Sequence, residues 1–268
     1  MKKLFIHFFK DWYTNRFIFA QLVKRDLQNR YIGSVFGVFW YVVQPLVMLL
    51  ILWFVLEKIF KAGSVTATIP FIAWLVTGMI VWNYFVEAIS SATNVFVEFS
   101  YMVKKLNFRV AQLPLVKITS ALITHFVFIF IAILILVVSG VSFSWFWLQS
   151  IYYLFSLTVL LCGLSWLLSS LNVFIRDIAY FITVALQFLY WLTPIFWNFQ
   201  LLPEQYQIMF KLNPLYYIVE GYRDSFLADV PFWHHWELTV YFWLINLIVL
   251  FIGASVFRKL RPHLADSL

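Results

Sequence analysis

Residues able to do acid–base or metal chemistry are few in this chain, and none falls into a catalytic pattern. The 268 residues include 12 acidic side chains, 5 histidines and 1 cysteine. His234 and His235 are adjacent, which on a helix turns the rings about 100° apart, a poor arrangement for sharing a metal. They read as interfacial residues. No HExxH zinc motif, no G-x-S-x-G nucleophile elbow and no D-x-D carboxylate pair occurs. There is also no G-x-x-x-x-G-K-[ST] loop, so the chain has no P-loop of its own to cradle nucleotide phosphates. Cys162 stands alone in an apolar run, which excludes an intrachain disulfide and a cysteine metal cluster. The chain reads as non-catalytic, with neither cofactor nor metal of its own.

Ion-coupled carriers place ionisable groups in the middle of their spans. Here Glu57 and Glu87 sit near span ends and Arg176-Asp177 abut the start of another. His125 is the exception, and reads as a helix–helix hydrogen bonder. The Arg176-Asp177 pair reads first as a local cap on the following helix. The energy source is therefore expected outside the chain. The positive signal is aromatic: 22% of residues are Phe, Trp or Tyr. Interfacial belts explain Trp145, Trp147, Trp233 and Trp236. They explain less well Trp40, Tyr41 and Trp53 in one span and Tyr190 and Trp191 in another. Aromatic faces stack on the apolar C–H faces of sugars without fixing their position, which suits a sliding polymer. With Gln44, these five form the candidate substrate pathway.

The elements that must position them are spans. With 63% hydrophobic and 12% charged residues, the chain belongs to the membrane class, all-α and polytopic. Six runs approach the roughly 20 apolar residues a crossing needs: Ser34–Leu56, Ile69–Ile89, Leu113–Val138, Ile151–Leu171, Ile178–Trp197 and Leu238–Phe257. The apolar patch after Met1-Lys2-Lys3 is broken by Lys10, Asp11 and Arg16, so the first true span is expected to serve as an uncleaved insertion signal. With both termini cytoplasmic, 15 Lys and Arg fall inside and 4 outside, the bias that sets orientation. The net charge of +7 fits basic loops facing anionic lipid headgroups, not nucleic acid. Pro45 and Pro194 are expected to kink the first and fifth spans.

Three connecting pieces stand out. Residues 1–32 form the cytoplasmic N-terminus, where Phe17–Tyr31 reads as an amphipathic helix in the interface, either a plain anchor or a partner-docking element. Ser90–Arg109 is longer than a tight turn needs. It is either a solvated loop or a short helix that plugs into another protein. The 198–236 stretch is the longest outer connection and too apolar for a free loop. It reads as two short helices broken at Asn213-Pro214, either re-entrant or lying as an outer lid. Residues 258–268 are a cytoplasmic tail, leaving 33–257 as one membrane domain.

In order and spacing, several pieces resemble the ABC-2 type polysaccharide exporter permeases over essentially the whole chain. They are Arg25-Asp26 followed by Tyr31-Ile-Gly-Ser-Val-Phe-Gly37; Trp40 to Pro45; Trp74-Leu-Val-Thr-Gly78 with Trp82; Lys105-Leu-Asn-Phe108 and Pro114; Asn172-Val-Phe-Ile-Arg-Asp177; Thr193-Pro-Ile-Phe-Trp197; and Leu212 to Ser225. The Asn213-Pro-Leu-Tyr-Tyr-Ile-Val219 block and the tail Arg261 to Leu268 are similar to the wall-teichoic-acid translocation branch; O-antigen permeases share most of the rest. Arg109 departs from the Pro that many members carry there.

The resemblance implies a homodimer of this chain with two copies of a cytoplasmic ATPase, which binds ATP and Mg. The cargo would be a polymer on a polyprenyl pyrophosphate carrier, teichoic acid in the first instance and O-antigen or capsule in the alternative. Residues 90–109 would be the coupling helix, with Asp26, Glu98, Tyr101, Lys104 and Lys105 at the ATPase interface. Arg25, Arg30 and Arg176 would draw the pyrophosphate to the cytoplasmic mouth. Tyr206, Asn213, Pro214, Tyr216 and Tyr217 would belong to an outer gate. Membrane glycosyltransferases and secondary transporters are the rival classes. The expected location is the bacterial plasma membrane.

Overall fold

The computed structural model describes residues 16–29, 39–61, 69–105 and 110–268. Among these, the chain is helical and has no β-strand. Helix α1 covers Arg16–Asn29 and α2 Phe39–Trp53, prolonged by a wider π-helical turn over Phe54–Ile59. Helix α3 runs Phe71–Thr93, followed by two short helices, α4 (Val95–Glu98) and α5 (Ser100–Lys105). Helices α6 (Leu113–Val138) and α7 (Ser150–Phe174) are long, and α8 covers Asp177–Leu192. Two short helices, α9 (Glu204–Lys211) and α10 (Pro214–Arg223), precede α11 (Trp236–Leu260) and the terminal α12 (Leu264–Ser267).

Five of the helical stretches are long and apolar enough to cross a membrane: those built on α2, α3, α6, α7 and α11. The bounds of α6 coincide with the expected third span. The fifth expected span does not run to Trp197. Helix α8 has 16 residues, about 24 Å at the usual rise, against roughly 30 Å of hydrocarbon. Pro194 is the cause. It biases the residue before it away from helical geometry, and Thr193 is extended at φ −100°, ψ 129°. Pro194 therefore ends this helix instead of kinking it, whereas Pro45 lies inside α2.

Helix α3 is the hub. It packs on α6 and α7, carries α10 against it, and has α2 and α8 on its flanks. Helices α7 and α11 approach closely at Gly163 and Gly253. A Cβ on Gly253 would lie 2.1 Å from the Gly163 carbonyl oxygen, so only glycine permits this separation.

The buried residues form two clusters. The larger fills the interior between the long helices. The smaller sits at the end of the bundle that holds both terminal segments. There Leu22 and Val23 of α1 meet Phe96 and Phe99 beyond α3, Val116 of α6, and Leu264 of α12. Helix α1 is thus fixed to protein along one face, while Phe17, Ile18, Lys24 and Arg25 remain exposed.

Candidate functional site

At the terminal end, the second apolar cluster surrounds an ion triad. Lys117, in the second turn of α6, has a side chain only 5% exposed. Its Nζ donates to Asp26 Oδ1 of α1 at 2.5 Å and to Glu98 Oε2 of α4 at 2.6 Å. It also lies 5.4 Å from the centre of the Phe99 ring. A cation this near a helix N-terminus opposes the helix dipole and loses its hydration on burial. The two carboxylates offset both effects. Asp26 therefore faces inward onto Lys117, while the Glu98 side chain stays 43% exposed. Tyr101 and Lys104 are exposed on the adjoining α5, and Lys105 closes that helix.

Asn172 makes a second junction at the same end. Its amide nitrogen donates to the Thr93 carbonyl at 3.1 Å and to Asn94 Oδ1 at 3.2 Å. Its oxygen accepts from the Ala179 backbone N–H at 3.2 Å. One buried amide thus fastens the end of α3 to the start of α8. Arg176, in the N-cap position of α8, makes no side-chain cap. Asp177 stands in the first turn of α8, where an acidic group favours the helix N-terminus as expected, and Asn172 adds the side-chain hydrogen bond to the backbone there. Arg25 and Arg176 are both exposed, and Arg30 lies outside the described residues.

At the far end, α9 and α10 meet at Asn213-Pro214, the expected break. The Asn213 oxygen caps α10 by accepting from Leu215 N at 3.0 Å, and its amide donates to Thr193 Oγ1 at 2.9 Å. Proline follows at the first helical position, where its missing N–H costs nothing. Helix α9 is largely exposed, Tyr206 included, but α10 is buried along most of its length. Tyr217 shares hydrogen bonds with Tyr152 of α7 at 3.1 Å and Thr239 of α11 at 2.9 Å. The Tyr216 ring packs 4.7 Å from that of Phe199, and burial pushes its phenol pKa up.

Arg223 ends α10 with a side chain 5% exposed. It pairs with Glu220 at 2.5 Å, donates to the Ile195 carbonyl at 2.9 Å, and lies 3.6 Å from the Trp74 ring centre of α3. Gly78 makes room for it: a Cβ there would be 3.1 Å from Arg223 Nη2. Tyr222 reaches His125 of α6, whose Nε2 lies 2.9 Å from the phenol oxygen, and the Tyr84 ring stacks on the imidazole at 4.8 Å. His125 does bond across helices, and the helix it reaches is α10.

The aromatic candidates divide. Trp40, Gln44 and Trp191 are exposed on α2 and α8. Trp53 is half-buried, donates to Glu57 and has the Lys58 ammonium 5.4 Å from its ring centre. Tyr41 belongs to the same helix as Trp40. Tyr190 packs on Trp82 of α3 at 5.3 Å and on Phe196 at 5.2 Å. Helices α2 and α8 each lie on α3 and share no extensive contact with one another. Each group thus meets α3 on its own side, among the described residues.

Sequence reasoning passed over Lys117, Asn172 and Arg223 as individual positions. The available signal was chemical: a lysine in the second turn of an apolar span, and a buried-type arginine in an apolar outer segment, each require a partner.

An all-α bundle with five helical stretches long and apolar enough to cross a membrane makes this a polytopic membrane protein. A family model for ABC-2 type transporters matches residues 18–227, and the chain belongs to that family. It is also similar to the O-antigen export system permease protein RfbA of Klebsiella pneumoniae, at 26% identity over 96% of this chain and 98% of that protein. The protein of the same name from Myxococcus xanthus is 21% identical over 98% of this chain and 100% of its own length.

Proposed function

We propose that this chain is the membrane permease subunit of an ATP-driven polysaccharide exporter, working as a homodimer with two copies of a separate ATPase that binds ATP and Mg. The observation that carries this is the family match, joined to full-length similarity to permeases of O-antigen export. The missing P-loop is consistent with a borrowed energy source. The relatives support an O-antigen-type polysaccharide as cargo. The teichoic acid reading rests only on the 213–219 block and the tail, and takes second place. The carrier is a polyprenyl pyrophosphate lipid, and the membrane is the bacterial plasma membrane with both termini inside.

In this reading, residues 90–109 receive the push of the ATPase, and α9 and α10 form the outer gate. The exposed apolar faces of α2 and α8 meet those of a second copy. That meeting would gather Trp40, Tyr41, Gln44, Trp53, Tyr190 and Trp191 around one pathway. Arg25, Arg30 and Arg176 attract the pyrophosphate at the inner mouth through charge-assisted hydrogen bonds.

Purification from detergent followed by reconstitution tests this. A stoichiometric ATPase subunit should copurify, and movement of a polyprenyl-pyrophosphate-linked O-polysaccharide across liposomes should require that subunit and ATP. Transport by this chain alone, with no nucleotide supplied, would reject the proposal. A glycosyltransferase would instead lengthen or cleave the glycan.

A further inference from the structure

We propose that Lys117 is a positioning residue for energy coupling: its buried ammonium, held by Asp26 and Glu98, locks α1 and α4 to the second turn of α6. A push on the 90–109 segment, which contains α4, then moves the span as one body. This rests on reading 90–109 as the segment that receives the ATPase.

Three features carry the inference. First, the triad joins elements far apart in the chain, with Lys117 91 residues from Asp26 and 19 from Glu98. No local helix periodicity would bring them together. Second, the ionic contacts lie inside the apolar cluster at the terminal end, where Phe96, Phe99, Val116 and Leu22 pack around them. A buried ion pair adds little net stability compared with well-packed apolar residues. It does make every arrangement that draws the carboxylates away from the Lys117 ammonium costly, because that cation is only 5% exposed and would lose its counter-charges without regaining water. The triad is therefore better suited to fixing one register between the three helices than to holding the fold together. Third, the two acids differ. Asp26 is 2% exposed and Glu98 is 43% exposed, on side-chain area. Glu98 alone stands at the boundary between the locked interior and the exposed face that carries Tyr101 and Lys104. It is where a force applied from outside enters the clasp.

The test uses the complete complex of this chain with its ATPase in liposomes, and measures polysaccharide exported per ATP hydrolysed. Lys117→Met is expected to leave an assembled complex that hydrolyses ATP but exports about 10-fold less per ATP, the scale of a lost coupling contact. Lys117→Arg, which keeps the charge, should restore most of the ratio. A purely structural residue would lower complex yield without changing this ratio. Should Lys117→Met fail to fold because the cation is lost beside buried Asp26, the triple variant D26N/E98Q/K117M removes the charges together and should show the same low ratio. Glu98→Gln leaves the Asp26–Lys117 pair in place and should lower the ratio about 3-fold. A wild-type ratio in Lys117→Met or the triple variant, or in Glu98→Gln where neither of those assembles, would overturn the proposal. Failure of the underlying reading would look different: the wild-type protein itself would bind no ATPase or transport without nucleotide.

Discussion

Helices α2 and α3 are neighbours, both apolar, and they relate to the rest of the protein in opposite ways. In the crossing stretch of α3, 78% of residues are buried, against 6% in that of α2. The less buried helix is the more apolar one. In water this would be a contradiction, since exposed apolar surface drives association. In a bilayer it is ordinary, because lipid tails are as apolar as leucine and give no such drive. What separates the two helices is where small and polar groups create specific contacts. Helix α3 has Gly78 to admit Arg223, Tyr84 to stack on His125, and a Thr93 carbonyl that Asn172 holds. Helix α2 shows Val47, Met48, Leu50 and Ile51 outward. Helix α8 is like α2, with Tyr180, Phe181, Phe188 and Trp191 exposed. One half of the subunit is fixed by polar clasps, and the other offers apolar faces to lipid or a second copy.

The largest effect that would sharpen this contrast is at Arg223. Replacing it with Met removes the Glu220 pair, the Ile195 hydrogen bond and the contact with Trp74 in one step. Breaking a buried pair on one side costs about 3–5 kcal/mol. Thermal unfolding of the purified protein in detergent should show a large fall in melting temperature, with the 195–230 region becoming sensitive to protease first. If the contrast is wrong, Arg223→Met will melt like wild type.

Next in size is the pairing of α7 with α11. Gly253→Ala places a methyl 2.1 Å from the Gly163 carbonyl oxygen, which backbone atoms cannot absorb without the helices moving apart. Overpacking of this kind costs about 1–3 kcal/mol. Phe181→Ala on exposed α8 is the control from the open half, and should change monomer stability by no more than about 0.5 kcal/mol. Melting curves of the two variants side by side decide the matter. Equal losses would mean that exposure in the single chain says nothing about packing strength.

How much of this was legible in the sequence follows from the same contrast. Hydropathy marks where chain enters lipid, so the span over Leu113–Val138 and the break at Asn213-Pro214 were readable from composition and turn chemistry. The end of α8 was misread because apolar content was weighed above the backbone constraint of Pro194; the run Ile195-Phe196-Trp197 is apolar but not helical. For the clasps, the sequence signals that a buried charge or His125 needs a partner, but not which partner. Lys117 counted only as a charge toward orientation, Arg223 as such a charge and part of a motif, and Asn172 only as part of a motif. Asp26, the Ile195 carbonyl and the Thr93 carbonyl are 91, 28 and 79 residues away from them, and no periodicity connects positions so distant; only the Arg223–Glu220 pair follows helix spacing. Asp26 shows the same limit: expected among the ATPase-coupling residues, it is turned inward onto Lys117, a partner the sequence does not point to.

The last effect, spread over a range of pH and so smallest at any single pH step, concerns Asp224, just beyond α10. Burial, and then the charge of Glu220, push its carboxyl up to about 7 against the opposing pull of Arg223. His235 Nε2 stands 3.6 Å from its Oδ2. Because the folded pKa lies above the unfolded value, the folded state holds this proton more tightly. Asp224 therefore favours the fold most below its unfolded pKa of about 4, and that contribution is lost as pH rises toward about 7. Wild-type melting temperature in detergent should fall between about pH 5 and about pH 7 more steeply than that of Asp224→Asn, and the two slopes should converge above about pH 7. Repeating the comparison with His235→Gln in both proteins separates the carboxyl from its imidazole neighbour. Parallel slopes in that background would show that Asp224 is solvated like an ordinary surface acid, and that the clasped half of the subunit ends at Arg223.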